Sequence, residues 1–132
     1  DSAANKVVIA YRDYGNSNYG TAIVGTVSGT SISFGTAVVF SSENKTSRMS
    51  AVFDTNAGKV VIGHEGDWGY GYGIVGTVSG TAISFGSATS FVTGGHDHIR
   101  LTFDSSANKV VACFQDIDTS IEMKPLQIMV QL

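Results

Sequence analysis

KVVIGHEGDWGYGYGIVGTVSGTAISFG, residues 59–86, decides the fold of this chain because the same stretch occurs earlier in a slightly different form. Residues 6–35 read KVVIAYRDYGNSNYGTAIVGTVSGTSISFG, and a third start, KVVACFQD, occupies residues 109–116. Repetition at an interval of roughly 50 residues is typical of propeller blades, solenoids and other arrays. The repeat therefore predicts architecture more directly than it predicts chemistry.

The composition favours strands and tight turns over helices. Of the 132 residues, 42% are hydrophobic and only 14% are charged, whereas globular domains usually carry about 25% charged residues. β-branched and aromatic residues suit strands, and Gly and Asn suit turns. The length is that of one domain, so residues 1–132 are interpreted as a single all-β domain.

Charge and hydropathy exclude two classes of partner. The net charge is −3 and the Lys and Arg residues are scattered, whereas nucleic-acid binding requires clustered basic residues. No apolar run approaches the roughly 18 residues of a membrane-spanning helix, so no membrane insertion is predicted. The abundant Gly, Ser and Thr favour an extracellular location, on a cell or virion surface. A chain that opens at Asp1 without an initiator Met is expected to be a processed product, a fragment, or the ordered part of something longer.

Each repeat unit contains four apolar runs separated by turn signals, which predicts a four-stranded antiparallel meander. The units are expected at about residues 5–54 and 58–104, with a partial third unit at 108–116 and a tail at 117–132. The runs are 6–12, 21–27, 31–40 and 48–53, then 59–64, 73–78, 82–91 and 98–103. Several runs are apolar or small on both faces and need cover from both sides. A meander stacked between neighbours, as in a propeller blade, meets that need.

Two kinds of turn recur between these runs. The pairs Ser28-Gly29 and Ser79-Gly80 predict tight hairpins, because Gly adopts positive φ without strain. The longer turns open at Asp54 and Asp104, whose carboxylates are expected to accept hydrogen bonds from backbone N–H groups two or three residues on. The Gly or Asn that closes each longer turn tolerates the left-handed conformation.

The phrases GTAIVGTVSGTSISFG and NKVVIAYRD resemble tandem repeats in hypothetical surface and virion proteins of aquatic bacteria and their phages. The resemblance covers residues 1–116, and residues 117–132 depart from it. It implies a β-propeller-like repeat fold and no defined chemistry.

The number of units does not suffice for a closed propeller, which has about four to eight blades. Three arrangements would cover the open sheets and edges that two units and one further strand leave. Copies could associate into a ring, the chain could be a piece of a longer propeller, or the units could fold over each other as a self-closed two-sheet β-sandwich.

The tail is predicted to be an assembly strand. Pro125 stands at its start, where a missing N–H does least harm. A strand of this kind completes a sheet in its own chain or in the next one, and a head-to-tail contact closes into rings or continues as a filament. A homo-oligomer or filament is therefore the expected assembly. The candidate assembly residues, which alternate along one face, are Leu126, Ile128, Val130 and Leu132.

The loop between the first two strands of each unit is the segment most typical of a ligand site. Aromatic rings on a glycine-rich backbone offer flat apolar faces beside polar edges, which suits stacking on sugar rings, and ligand sites usually lie on loops held by a rigid scaffold. The alternative is that these rings cover the sheet ends or pack between subunits. The candidates are Tyr14, Asn16 and Tyr19 in the first loop, and Trp68, Tyr70 and Tyr72 in the second.

No metal, cofactor or catalytic site is predicted. His96 and His98 lie two residues apart, so in a regular strand both would point to one side, but no third ligand is evident. Cys113 lies in the apolar run VVACF and is expected to be a buried structural thiol. No Ser-His-Asp arrangement, phosphate loop or suitably spaced carboxylate pair stands out, so the chain is not expected to be an enzyme.

Two classes of function fit these observations. The first is a non-catalytic, self-associating structural module of an extracellular filament, surface layer or virion appendage, with adhesion as a compatible role. The alternative is a lectin-like, glycan-binding propeller module that uses the aromatic loops.

Overall fold

The computed structural model describes residues 4–43 and 46–117, together with the backbone of Pro125 and Leu126. These residues form an all-β structure of antiparallel meanders, which confirms the predicted fold class. Sheet 1 contains β1 (Lys6–Asp13), β2 (Tyr19–Ser28), β3 (Ser31–Phe34) and β4 (Val38–Ser41). Sheet 2 contains β5 (Ser47–Asp54), β6 (Lys59–Glu65), β7 (Gly71–Ser79), β8 (Ala82–Phe85) and β9 (Thr89–Val92), and sheet 3 contains β10 (His96–Asp104), β11 (Lys109–Asp116) and β12 (Pro125–Leu126).

Sheet 2 shows the complete meander of the repeat. β5, β6 and β7 pair in sequence order, and β8 and β9 both pair with β7 as two parts of one outer strand. Sheet 1 begins, within the described residues, at the strand that is second in sheet 2. The repeat units of the sequence, counted from Lys6 and Lys59, therefore do not coincide with the sheets. The last strand of the first unit, β5, pairs with β6 and so belongs to the sheet of the second unit.

The outer strand of each meander is divided, although the runs 31–40 and 82–91 predict one strand each. Gly35 and Gly86 mark the two interruptions, and their N–H groups donate to the carbonyl oxygens of Val24 at 2.9 Å and Val75 at 3.0 Å. The prediction of a continuous strand is wrong because the outer strand shifts its register along its neighbour at this point, as a β-bulge does.

The turns have the predicted chemistry. The Asp54 carboxylate accepts hydrogen bonds from the N–H groups of Asn56 and Ala57, both at 2.9 Å, and Asp104 does the same in the next unit. Gly58 closes its turn at φ +64°, and Asn108 closes the equivalent turn at φ +53°.

The three sheets stack in chain order. β5 lies against β1 on one side and against β10 on the other. The core between sheets 1 and 2 includes Phe40, Ile62 and Ile74. Because sheet 2 has a neighbour on each side, β6 is buried on both faces from Val60 to His64, as a strand apolar on both faces requires. Among the described residues, sheets 1 and 3 each have a neighbour on one side only.

Candidate functional site

One face of sheet 1 is apolar and uncovered by any described residue. Side chains alternate between the two faces of a strand, and those of Val8 and Val24 lie on the face that packs on sheet 2. The side chains of the apolar face lie on the other side of sheet 1. Val7 and Phe34 share this face because both lie beside Gly25 in the strand register. Exposure ranges from 37% at Val7 to 51% at Phe34. This surface is called the open face, and its members are Val7, Ile9, Val27, Ile32, Phe34 and Val39.

The repeat positions of Val7, Ile9 and Ile32 are buried in sheet 2. Val7 and Ile9 are 37% and 41% exposed, whereas their counterparts Val60 and Ile62 are 6% and 0% exposed. Side-chain type and local sequence are almost identical at these positions. The difference arises because sheet 1 covers the face of sheet 2 on which Val60 and Ile62 lie.

Sheet 3 ends the stack on the other side with the opposite face outward. Val111 and Cys113 lie on this outer face of β11, at the repeat positions of Val61 and Gly63. In sheet 2 those positions are buried, and a Cβ built on Gly63 would lie 3.2 Å from the side chain of Ile99 in sheet 3. The prediction of a buried thiol is wrong: Cys113 is exposed, because no described strand covers this face.

The two outward faces are therefore the two halves of one kind of contact. The contact occurs twice within the chain, once between sheets 1 and 2 and once between sheets 2 and 3. The open face of sheet 1 is equivalent to the face of sheet 2 that packs on sheet 1. The outer face of sheet 3 is equivalent to the other face of sheet 2, which packs on sheet 3. Each outward face is therefore equivalent to a face that is covered within the chain.

The tail begins in its own sheet. The backbone of Leu126 pairs with Ala112 and that of Pro125 with Cys113, so this short strand continues the meander of sheet 3. The side chains of the candidate assembly residues Leu126, Ile128, Val130 and Leu132 lie outside the described residues.

The second aromatic loop presents Trp68 on a braced turn. The indole side chain is exposed, with the residue 88% accessible, and its backbone adopts φ +65°, which is rare for a bulky residue. The Gly66 N–H donates to the Tyr70 carbonyl at 2.9 Å. The Asp67 N–H donates to the Glu43 carboxylate at 2.6 Å, which ties this loop to the connection before β5.

The first aromatic loop is a tight turn with one prominent ring. Tyr14 is exposed, and the Arg12 guanidinium lies 5.1 Å from its ring centroid. The Asn16 N–H donates to the Asp13 carbonyl, and the Asn16 carbonyl accepts from Tyr19. Asn16 is exposed and Tyr19 is half-buried, so Tyr14 is the main side chain that this loop offers to a ligand.

The structure does not unite the six aromatic-loop candidates. Both loops lie at the same end of their sheets, since β1 and β6 are equivalent strands. Among the described side chains, no ring contact joins Tyr14 to Trp68. Tyr70 is partly exposed, and Tyr72 is half-buried with its ring stacked on His64 at 5.6 Å. The most exposed candidate rings are therefore two separate ones, Tyr14 and Trp68.

A buried histidine was not among the sequence candidates. His64 is 1% exposed and lies between Phe40, at 5.3 Å between ring centroids, and Tyr72. Neither ring nitrogen has a hydrogen-bond partner. Burial lowers the pKa of His64 to about 4, and the backbone of Glu65 opposes this shift without reaching hydrogen-bond geometry. Position 64 is aromatic in the other units, as Tyr11 and Phe114, and that signal would have identified His64 as a packing ring.

The His96–His98 segment belongs to β10 but is not a regular strand. His98 has φ +56° at a register shift between β10 and β11, so strict alternation fails there. His96 is buried against Phe114, at 5.7 Å between ring centroids, whereas His98 is exposed. The two histidines therefore do not share one side, as they would in a regular strand.

Arg48, with φ +47°, lies at a bulge near the start of β5 that is equivalent to the bulge at His98 in β10. Arg48 forms ion pairs with Glu65 of β6 and with Asp97 of β10. The pair with Glu65 lies within sheet 2, and the pair with Asp97 links sheet 2 to sheet 3 at the loop end of the stack.

No group of three His, Cys, Asp or Glu side chains in the described ranges is placed to hold a metal ion. The same ranges contain no helix long and apolar enough to cross a membrane. No protein-family model, curated protein or solved structure matches the chain. The open face is thus the feature of the described residues from which function is best inferred.

Proposed function

We propose that the chain is a self-associating structural module whose copies stack head to tail. The open face of one copy is covered by the outer face of sheet 3 of the next. The observation that carries the proposal is the exposure of Ile9 and Ile32, at 41% and 42%, where their counterparts Ile62 and Ile83 are 0% and 5% exposed. Contiguous exposed apolar surface of this kind marks interaction sites.

A second copy is the occupant that fits, because the outer face of sheet 3 carries the residues the open face is built to receive. Val111 and Cys113 stand at the repeat positions of Val8 and Ala10, which are the residues of sheet 1 that pack on sheet 2. The same outer face is polar on β10, at Arg100 and Thr102. In a head-to-tail stack, these two would meet the edge of sheet 1 at which no described strand packs.

Contacts between different faces close into rings or continue as filaments. Two chains of three sheets each would supply six sheets, which lies within the usual range of about four to eight blades. A subunit of an extracellular filament, surface layer or virion appendage is the role that this geometry and the low charge favour.

A single charge on the open face is expected to abolish the association. Phe34→Asp and Ile9→Asp place a carboxylate in the proposed contact, where burying an unpaired charge is strongly unfavourable. Ser33→Asp is the matched control, because Ser33 is an exposed neighbour on the opposite side of β3. Light scattering across a dilution series should show assemblies for wild type and Ser33→Asp, and a 13.8 kDa monomer for the two open-face variants.

The reactivity of Cys113 tests the head-to-tail geometry separately. A thiol reagent should modify Cys113 slowly in assembled wild type and rapidly in Phe34→Asp. A wild-type chain that remains a monomer at every concentration would contradict self-association. Assembly with a fully reactive Cys113 would contradict the proposed pairing of faces.

A second candidate function, lectin-like glycan binding, is favoured by Trp68. Left-handed backbone at a bulky residue is often retained where function uses it, and the Trp68 ring faces solvent from a turn held by Glu43.

Trp68→Ala is expected to lower glycan binding about tenfold, because aromatic contacts contribute roughly 0.5–1.5 kcal/mol beyond area burial. Tyr14→Ala is the matched variant, because it removes the exposed ring of the other loop. Glycan-array binding, with light scattering as a check on assembly, measures both variants. Failure of the wild-type chain to bind any glycan would dismiss this candidate.

A further inference from the structure

A cleft of about 340 Å³ lies between sheets 1 and 2 beside the edge of β1. Val7 and Val8 line one side, and Ala51, Phe53 and Val60 are among the residues that line the other. The cleft is apolar over much of its wall, and one of its borders is an edge strand. Edge strands offer unpaired N–H and C=O groups to a further strand.

The alternation of hydrogen bonds between β1 and β2 identifies which main-chain N–H and C=O groups of β1 are free to bond to a further strand. The Val27 N–H donates to the Asn5 carbonyl at 3.0 Å, so the bonded positions continue at Val7 and Ile9. The main-chain groups of Val8 and Ala10 therefore point away from β2, towards the edge of the sheet. These two residues give the middle of β1 a row of donors and acceptors along the sheet edge, which borders the cleft at Val8.

The other two sheets show which element occupies the equivalent position beside β1. In sheet 2 the position beside β6 is held by β5, and in sheet 3 the position beside β11 is held by β10. β10 packs on β5, and the opposite side of β5 borders the cleft through Ala51 and Phe53. The cleft thus lies where a first strand of sheet 1 would pack on β5, as β10 packs on β5 from the other side.

The backbone that leads into β1 is already shaped for such a strand. Asn5 adopts φ +52°, and Gly58 and Asn108 adopt φ +64° and φ +53° at the ends of the turns that follow β5 and β10. The chain thus enters β1 in the conformation in which it leaves those two turns.

We propose that the cleft binds an extended segment with the residue pattern of β5, which pairs antiparallel with β1. In sheet 2, Val52 and Phe53 lie opposite Val61 and Val60, so the equivalent residues of the added strand lie opposite Val8 and Val7. The Val position then faces sheet 2, and the Phe position extends the open face. This is strand addition to a sheet edge, in which main-chain hydrogen bonds give affinity and alternate side chains give specificity.

The proposal goes beyond self-association, because a strand can fill the cleft of a single copy. The test uses the intact chain and the Phe34→Asp variant, with a synthetic peptide of residues 47–54, SRMSAVFD. Amide hydrogen exchange is read at four residues of β1. Without peptide, the amides of Val8 and Ala10 should exchange rapidly, and those of Val7 and Ile9, which bond to β2, should already be slow.

Saturating peptide is expected to slow exchange at Val8 and Ala10 at least about tenfold in both proteins, since a ligand that binds only the folded state protects the groups it covers. Exchange at Val7 and Ile9 serves as the internal control. A peptide with proline in place of Val52, the residue that lies opposite Val8, lacks the N–H that would donate to the Val8 carbonyl, so it should give no protection. A scrambled peptide should behave in the same way.

Three results would overturn the proposal. The first is unchanged exchange at Val8 and Ala10 with the repeat peptide. The second is protection by a peptide of residues 125–132, PLQIMVQL, and not by the repeat peptide, which would assign the cleft to the tail of another copy. The third is protection before any peptide is added that disappears on dilution. Phe34→Asp is designed to remove the open-face contact between copies. Peptide binding by this variant therefore tests strand addition separately from the proposed self-association.

Discussion

Gly35→Ala is expected to lower the free energy of unfolding by about 1–3 kcal/mol, the usual cost of overpacking. A Cβ built on Gly35 would overlap the carbonyl oxygen of Thr81. Thr81 belongs to the hairpin between β7 and β8, so this is a contact between sheets 1 and 2. A backbone carbonyl has no rotamer by which to move aside, and the two sheets must separate locally.

Gly86→Ala is the matched control for Gly35→Ala. Gly86 follows the same Ser-Phe pair and makes the same backbone hydrogen bond, to Val75. The nearest atom to a Cβ at Gly86 is the Val75 carbonyl oxygen, at the ordinary contact distance of 3.9 Å. Gly86→Ala is therefore expected to be neutral or to stabilise by roughly 0.4–1 kcal/mol, because alanine restricts the unfolded chain.

Urea denaturation with a common m-value compares the two variants. If both alanines change stability equally, the close approach of the sheets at Gly35 is not what makes glycine necessary there. Light scattering at the concentration used for unfolding keeps the state of association the same for both proteins.

Acidification from pH 7 to pH 4.5 is expected to remove about 2 kcal/mol of stability through His64. Its folded-state pKa, about 4, lies below the ordinary value of 6.5. The unfolded chain therefore binds the proton more tightly than the folded one. This contribution is fully present above pH 6.5 and is lost as the pH falls towards 4. The cause is burial between Phe40 and Tyr72, where no group accepts or donates a hydrogen bond to the ring.

His64→Phe isolates this contribution, because Phe114 holds the equivalent position in the third unit. The variant should keep the fold and show a shallower loss of stability between pH 7 and pH 4.5. All other ionisable groups are the same in both proteins, so the difference between the two curves belongs to the imidazole. Identical pH dependence in wild type and His64→Phe would contradict the depressed pKa.

The local structure was predictable wherever a few neighbouring residues suffice to fix it. The Asp54 and Asp104 turns form the predicted hydrogen bonds, and Gly29 and Gly80 adopt positive φ in the predicted hairpins. In these turns the deciding interactions join residues two or three positions apart. The same sequence therefore produces the same turn in each unit.

The predictions that proved wrong depend on what lies across the sheet or beyond it. A regular strand would place His96 and His98 on one side, but a bulge with positive φ at His98 separates them. The divided outer strands depend in the same way on register along a neighbouring strand. No sequence window reports a register shift, because it is set by pairing with a segment elsewhere in the chain.

The candidate site was only partly predictable for the same reason. The exposed rings of Tyr14 and Trp68 follow from their glycine-rich loops. Their separation and the stacking of Tyr72 on His64 required the packed sheets. The open face was missed because its residues have the composition of a core. That an end of the array would need a partner was evident from the count of units alone.

The sequence by itself determined the repeated meander, since alternation and turn chemistry are local and recur with the repeat. Only the tertiary structure decided which copy of each residue is buried. Val7 and Val60 follow the same lysine in the same Lys-Val-Val-Ile run, yet one is 37% exposed and the other 6%. The physical reason is that burial belongs to a contact between two sheets, and among the described residues sheet 1 has a neighbour on one side only.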